Sequence, residues 1–208
     1  MYPSNIIKTM LYNILTAFYQ PFWFAIILSI FFMFAYKLYP GVKAASKQWI
    51  LWFKEDVLFR KMFVLVFYTS MILFRTLLNR DMWANPLSNV LGNWGLWNQN
   101  GVLSTEIIEN FILFIPFVII LFWTYKEKIF FKKVTLIRAL WISAKITFSF
   151  SLTIEMLQLL LRLGTWQLSD LFFNTLGGIA GGGIYYFFQK ITCILMNRKK
   201  QGGMNHTP

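Results

Sequence analysis

Five apolar stretches constrain the fold of this chain more than any other feature. They cover about residues 22–39, 62–79, 106–124, 139–161 and 171–190. A helix needs about 20 apolar residues to cross a hydrocarbon layer roughly 30 Å thick. Hydrophobic residues make up 57% of the 208 residues and charged residues only 13%, which is more apolar surface than one soluble core of this size can bury. The sequence therefore predicts an all-α, polytopic bundle of about five transmembrane helices in the cell membrane.

The N-terminal segment leaves two alternatives open. Residues 5–19 are also apolar, and Pro21 either kinks one long first helix or opens a second helix as its first residue. In the second case residues 5–19 lie in the membrane interface, with an apolar face that includes Ile7 and Ile14. We expect residues 1–20 to be an interfacial or helix-extension segment. Residues 21–190 form the transmembrane domain, and residues 191–208 form a basic cytoplasmic tail.

The basic residues predict the orientation of the chain. Fifteen of the 20 Lys and Arg lie in the connections and tail on one side of the five stretches. The positive-inside rule then places the N-terminus outside, the C-terminus in the cytoplasm, and the connections 80–105 and 162–169 outside. The net charge of +12 has no polar domain in which to form a nucleic-acid groove. We therefore expect the lipid bilayer, and no nucleic acid, as a partner.

A narrow polar stripe runs along the fourth stretch. At 100° per residue, Ser151, Gln158 and Arg162 lie within roughly 60° of Glu155 around a helix. Such a stripe is costly against lipid, so it is expected to face protein or water inside the bundle. The fifth stretch offers a matching face, with Asp170 and Asn174 one turn apart. It continues with two small-residue pairs that favour close helix packing, Gly177 with Gly181 and Gly178 with Gly182.

The ionisable and amide residues of separate stretches are expected at a similar depth. A rise of about 1.5 Å per residue puts Glu155 roughly 9 Å, and Arg75, Asn110 and Asn174 each roughly 6 Å, below the same end of the bundle. The layer contains two carboxylates, two guanidiniums and three amides: Glu155, Asp170, Arg75, Arg162, Gln158, Asn110 and Asn174. These residues are interpreted either as a functional site or as polar groups that only hold the helices together.

Other chemistry is not indicated. Glu106 and Glu109 follow Ser104 and Thr105 at a helix start, where capping and the helix dipole explain them. No nucleotide-binding loop, paired-His motif or Ser-His-Asp set is found in the sequence. The single Cys193 and single His206 have no second ligand nearby in sequence, so we expect no metal and no cofactor.

The segment "SLTIEMLQLLLRLGTWQLSDLFFNTLGG" resembles the signature of the VanZ-like family. "FRT", "NPLSNVLGNWGLW" and "IENFILFIPF" resemble other recurring elements of that family, so the resemblance spans about residues 70–188. The chain departs from the pattern at Val118, where the family commonly has Gly. The resemblance implies functional or structural roles for Arg75, Asn85, Asn110, Glu155, Gln158, Arg162, Asp170, Asn174, Gly177 and Gly178.

The family resemblance implies an association with low-level resistance to teicoplanin-type lipoglycopeptides, with no settled reaction. We expect an outward-facing intramembrane site that binds or modifies an envelope lipid or lipid-linked precursor. Glu155 and Asp170 are the candidate acid and base, and Arg75, Asn85, Asn110, Gln158, Arg162 and Asn174 are the candidate binding residues. The alternative is a non-catalytic scaffold or binding protein for cell-wall precursors or a partner enzyme. The sequence leaves catalysis, the oligomeric state and direct contact with the antibiotic open.

Overall fold

The computed structural model describes residues 3–37, 42–97, 104–130 and 134–204, and side chains within 6–35, 49–97, 104–130 and 134–196. Its regular elements in these ranges are α-helices and one π-helical segment, Phe74–Leu78, which continues α4. The α-helices are α1 Pro3–Tyr19, α2 Phe22–Lys37, α3 Val42–Glu55, α4 Val57–Leu73, α5 Glu106–Ile129, α6 Leu136–Leu161 and α7 Leu168–Met204. The predicted all-α class is confirmed.

Within the described residues, five helical stretches are long and apolar enough to cross a membrane. They are Ile6–Ala35, Val57–Leu78, Glu106–Ile129, Leu136–Leu161 and Leu168–Met196. Each overlaps one of the five apolar stretches of the sequence, which confirms the predicted number of spans. The orientation of the termini stays a prediction from the Lys and Arg count.

The first of these stretches consists of two helices. Gln20 and Pro21 separate α1 from α2. Pro21 suits the start of α2, because a proline has no N–H to satisfy there while its carbonyl accepts from the backbone N–H of Ala25 at 2.8 Å. Helix α1 is tied to the bundle, since the amide of Asn13 donates to Thr105 Oγ1 at 2.8 Å. Residues 6–19 therefore contact α5, which the sequence did not predict.

Helix α3 was not predicted either, because it is too short to span a membrane. Its described aromatic residues Trp49 and Trp52 pack against a small buried cluster of Met33, Phe59 and Met62. The ring of Trp49 also stacks on that of Phe34 of α2, with 5.8 Å between centroids. The segment between α2 and α4 is thus a helix docked on both neighbours rather than a simple connection.

Helix α7 packs most extensively against α5 and α6. Gly177 and Gly181 lie against the backbone of α5, where an added methyl group would overlap the carbonyl oxygens of Phe111 and Ile115. Gly178 and Gly182 face α6, at Thr147 and Ser143. The two glycine pairs therefore serve different neighbours. Helix α7 approaches α5 closely at Phe111 and Ile115, which lie two turns and one turn before Val118.

Candidate functional site

One end of the bundle is formed by the loop of residues 79–97 and the turn of residues 162–167 that joins α6 to α7. We call this the loop end. The loop runs alongside the turn and is docked on the turn and the first residue of α7 by four backbone hydrogen bonds: Trp83 N to Arg162 O (2.9 Å), Gly164 N to Asp81 O (3.0 Å), Trp166 N to Pro86 O (2.9 Å) and Leu168 N to Val90 O (2.9 Å). The loop therefore has a defined position above α6 and α7.

Glu155 lies beneath this turn and holds it. Its side chain is buried, with 2% of its surface exposed, and its Oε2 accepts from the backbone N–H of Gln167 at 3.1 Å. An acceptor in that position satisfies an amide that would otherwise be buried without a partner. Glu155 thus connects the polar stripe of α6 to the turn on which the loop is docked.

Two amides of the polar layer bridge helices. Gln158 Nε2 donates to the backbone carbonyl of Thr76 at 2.7 Å, in the π-helical segment. Asn174 Nδ2 donates to Ser151 Oγ at 2.8 Å, between α7 and α6. All four residues are buried. The carbonyl of Thr76 is free to accept from α6 because it belongs to the last turn of its segment, where carbonyls have no partner within the helix.

Arg75, also in the π-helical segment, forms an ion pair with Glu109 of α5. Thr105 Oγ1 donates to the other carboxylate oxygen of Glu109 at 2.5 Å, and Asn13 of α1 donates to Thr105. Thr105, the N-cap of α5, makes no capping hydrogen bond with its side chain. The capping explanation of Glu109 was therefore incomplete, since this carboxylate also anchors Arg75.

Arg80 is the guanidinium next to Asp170. Its Nη2 lies 3.8 Å from Asp170 Oδ2, and its Nη1 lies 3.8 Å from Glu106 Oε1. The side chain of Asn110 hydrogen-bonds Asp170 as well, and the charge of Arg80 also acts on Glu155. The sequence analysis placed Arg80 in the outer connection 80–105 and not among the candidate site residues, because it follows the end of the second apolar stretch. The sequence signal that could have indicated a role for Arg80 was its position just after the end of the second stretch, five residues beyond the candidate site residue Arg75.

Two residues of the predicted site do not join this cluster. Helix α6 ends at Leu161, and Arg162 is its C-cap in the left-handed region (φ 55°), so the helical angle assumed for Arg162 does not apply. Its side chain is exposed, and it has no ion pair with a described carboxylate. Asn85 is exposed in the loop, where its carbonyl accepts from Ser88 in a turn. The expected grouping of Arg162 with Glu155 and Asp170 is therefore wrong.

A cavity of about 410 Å³ opens beside the two ion-paired groups. Its lining combines two guanidiniums, two carboxylates, two amides and three hydroxyl residues: Arg75, Arg80, Glu106, Glu109, Asn79, Asn110, Thr76, Ser104 and Thr105. Glu155 and Asp170 are not in this lining. Asp170 reaches the cavity wall only through Arg80 and Asn110. Arg75 and Asn110 thus line the cavity together, and Asp170 contacts that lining through Arg80 and Asn110.

The described residues contain no set of side chains that could coordinate a metal ion. No group of three or more His, Cys, Asp or Glu side chains could hold an ion there. Cys193 is an exposed free thiol. His206 lies outside the described residues.

The backbone conformation of Arg162 gives a testable prediction. A non-glycine residue at φ 55° carries a steric cost that glycine does not. We expect Arg162→Gly to keep or raise thermal stability, by up to about 1 kcal/mol, whereas Arg162→Val lowers it. Thermal unfolding of the purified variants in detergent measures both changes. A large loss of stability in Arg162→Gly would indicate that the guanidinium makes an essential contact.

These features define a class: a multi-pass α-helical membrane protein whose buried polar residues from several spans converge at one end, next to a polar cavity. The VanZ/LLP1 family model matches residues 22–189, so the chain belongs to the VanZ/LLP1 family. Protein VanZ of Enterococcus faecium is 34% identical over 95 residues, which is 46% of this chain and 50% of that relative. The match thus spans about half the length of the curated relative. No solved structure matches the chain.

Proposed function

We propose that this chain is a cell-membrane protein that acts in resistance to teicoplanin-type lipoglycopeptides. In this proposal the loop-end cavity binds the polar headgroup of an envelope lipid or of a lipid-linked cell-wall precursor. Family membership supports the link to resistance, and the Lys and Arg count supports an outward-facing loop end. The observation that carries the proposal is the polar cavity bordered by Arg75 and Arg80.

The lining of the cavity favours a headgroup over an acyl chain. Its two guanidiniums and two carboxylates balance in formal charge, and amides and hydroxyls surround them. Such a surface offers both donors and acceptors, as a sugar, a peptide or a phosphodiester with neighbouring hydroxyls requires. The cavity lies at the end of spans long enough to cross a membrane, so a ligand with its chains in lipid can reach it.

Burial separates the roles of the polar residues. Arg75 and Arg80 line the cavity and supply guanidinium donors, and Asn110 supplies an amide. Asp170 holds Arg80 and Asn110 from behind, and Glu155 holds the turn. Binding needs only this arrangement. A catalytic function would require Asp170 or Glu155 to exchange a proton with the ligand. Proton exchange is less favourable here because both carboxylates are buried outside the cavity lining.

The test is a series of three single replacements: the isosteric changes Glu155→Gln and Asp170→Asn, and the charge-conserving change Arg75→Lys. We expect each variant, produced at matched membrane abundance, to lower the teicoplanin concentration that inhibits growth toward that of cells lacking the protein. The physical reason is that Glu155→Gln and Asp170→Asn keep the shape of the side chain but remove a charge behind the cavity wall, whereas Arg75→Lys keeps the charge but removes the planar guanidinium from the wall.

Glu127→Gln is the matched control for the acids, because Glu127 is exposed and lies at the other end of the bundle. It is expected to behave like the unmodified protein. If all three site variants also retain full resistance at equal abundance, the cavity has no role in the phenotype.

The scaffold alternative has one observation in its favour. The loop presents large apolar side chains on its surface, including Met82 at 79% and Leu91 at 68% exposure, with Trp83, Trp94 and Trp97 also exposed. Such residues suit the membrane interface or a partner protein. Lipid and precursor profiles of cells with and without the chain separate a protein that modifies a precursor from a non-catalytic scaffold or binding protein. Altered precursors support modification, and retention of an unchanged precursor by purified protein supports binding.

A further inference from the structure

A second cavity, at the end of the bundle opposite the loop end, is lined by three lysines. It has a volume of about 490 Å³ and lies where the start of α4, the end of α5 and α7 meet. Lys61, Lys126 and Lys128 line it together with Trp123, Tyr125, Tyr185 and Gln189. We propose that this basic cavity, independent of the loop-end site, binds the headgroup of an anionic phospholipid.

A break in α5 produces the arrangement. Tyr125 has non-helical dihedral angles (φ −116°, ψ 26°), which disturb the backbone hydrogen bonds of the preceding turn. Carbonyls of that turn accept from side chains of other helices. Phe122 O accepts from the hydroxyl of Tyr185 at 3.3 Å, and Trp123 O accepts from Lys61 Nζ at 3.3 Å. The break therefore joins three helices at a point where lysines from α4 and α5 come together.

None of the three lysines has an ion pair with a described carboxylate. Lys61 lies over the ring of Trp123 at 5.0 Å from its centroid, and Lys128 lies over the ring of Tyr125 at 5.6 Å. Lys126 Nζ donates to Gln189 Oε1 at 2.7 Å. The carboxylates nearest in sequence are Glu127, which also lines the cavity, and Asp56, whose side chain caps α4 by accepting from Leu58 and Phe59. The lining thus keeps an excess of positive charge.

An apolar cavity adjoins the basic one. It has a volume of about 440 Å³, shares Lys126 and Gln189 with the first, and is otherwise lined by Val134, Tyr186, Lys190, Cys193 and Ile194. A phosphodiester among the lysines and an acyl chain against the apolar wall match the two halves of one phospholipid. Basic pockets between transmembrane helices bind anionic lipid headgroups in this way. The three lysines would also bind a free phosphate, but the adjoining apolar cavity favours a ligand that has acyl chains.

The experiment uses the full chain purified in a neutral detergent. It is titrated with phosphatidylglycerol and with phosphatidylcholine of the same acyl chains, and bound lipid is measured by native mass spectrometry. We expect binding of phosphatidylglycerol to be at least about tenfold tighter, since each of the three lysines contributes a few-fold and the single carboxylate of Glu127 offsets part of the total. Replacing all three lysines, by Lys61→Gln, Lys126→Gln and Lys128→Gln, removes this preference.

The matched control is a second triple replacement with the same change in charge, Lys54→Gln, Arg138→Gln and Lys145→Gln. None of these residues lines either cavity, so the lipid preference is expected to persist. Equal affinity of the unmodified protein for both lipids would overturn the proposal. Equal losses in the two triple variants would do the same, because surface charge alone would then explain binding. Competition by glycerol phosphate as strong as that of the lipid would identify a soluble-anion site instead.

Discussion

Gly177→Ala is expected to destabilise the bundle, although alanine is the better helix former. A methyl group at this position would overlap the carbonyl oxygen of Phe111 and lie 2.9 Å from its carbonyl carbon. Those atoms belong to the backbone of α5, so no flexible side chain can move aside. Overpacking of this kind costs about 1–3 kcal/mol, and we expect the upper part of that range because α5 itself must shift. Thermal unfolding in detergent and the amount of folded protein in membranes measure the effect.

Gly183→Ala is the matched control on the same helix. A methyl group there would meet Leu140 Cδ2 at 3.5 Å, which is an ordinary contact with a side chain. It is expected to keep or raise the stability, since alanine is favoured over glycine in a helix by about 1 kcal/mol. If both variants unfold at the same temperature, close packing of α7 on α5 is not what Gly177 provides.

Arg80→Gln is expected to lower both stability and teicoplanin resistance. Arg80 is half-buried and lies between Asp170 and Glu106, so its removal leaves the buried Asp170 carboxylate without a neutralising partner. Breaking a fully buried ion pair costs about 3–5 kcal/mol, and partial exposure with 3.8 Å separations reduces the expected loss to about 1–3 kcal/mol. The double variant Arg80→Gln with Asp170→Asn should recover part of the stability, because the unpaired charge is then absent.

Arg162→Gln provides the comparison, since it removes the same kind of side chain from an exposed position. We expect stability and resistance close to those of the unmodified protein. Stability and resistance are measured separately at equal membrane abundance. A loss of resistance in Arg162→Gln that equals the loss in Arg80→Gln would show that the exposed arginine, and not the ion-paired one, serves the function.

The spans and the helix pairing were accessible from the sequence because they follow from local periodicity. The length of an apolar stretch sets whether it can cross a membrane, and a 100° step per residue sets which side chains share a face. Glu155, Gln158 and Asn174 lie buried between helices, as the polar stripe indicated. The spacing of Gly177 and Gly181 indicated close packing, but not that their neighbour is α5 while Gly178 and Gly182 face α6.

The partners of the charged residues could not be derived in the same way. Helical angles hold only inside a regular helix, and α6 ends at Leu161, which takes Arg162 out of the predicted stripe. The π-helical turn at Phe74–Leu78 changes the direction of Arg75 by an amount that no sequence period encodes. Arg80, outside the apolar stretches, reaches Asp170 because the loop folds back onto the turn between α6 and α7.

The sequence by itself therefore determined that this is a membrane protein of about five spans, with polar residues concentrated near one end, and it indicated the VanZ-like family. Those properties depend on composition and on spacing within single helices. Only the tertiary structure decided that Arg75 pairs with Glu109, that Arg80 lies between Asp170 and Glu106, and that lysines of α4 and α5 meet at the other end. These pairings depend on how separate helices and loops pack in space, because an ion pair forms between whichever opposite charges the backbone brings within a few ångströms.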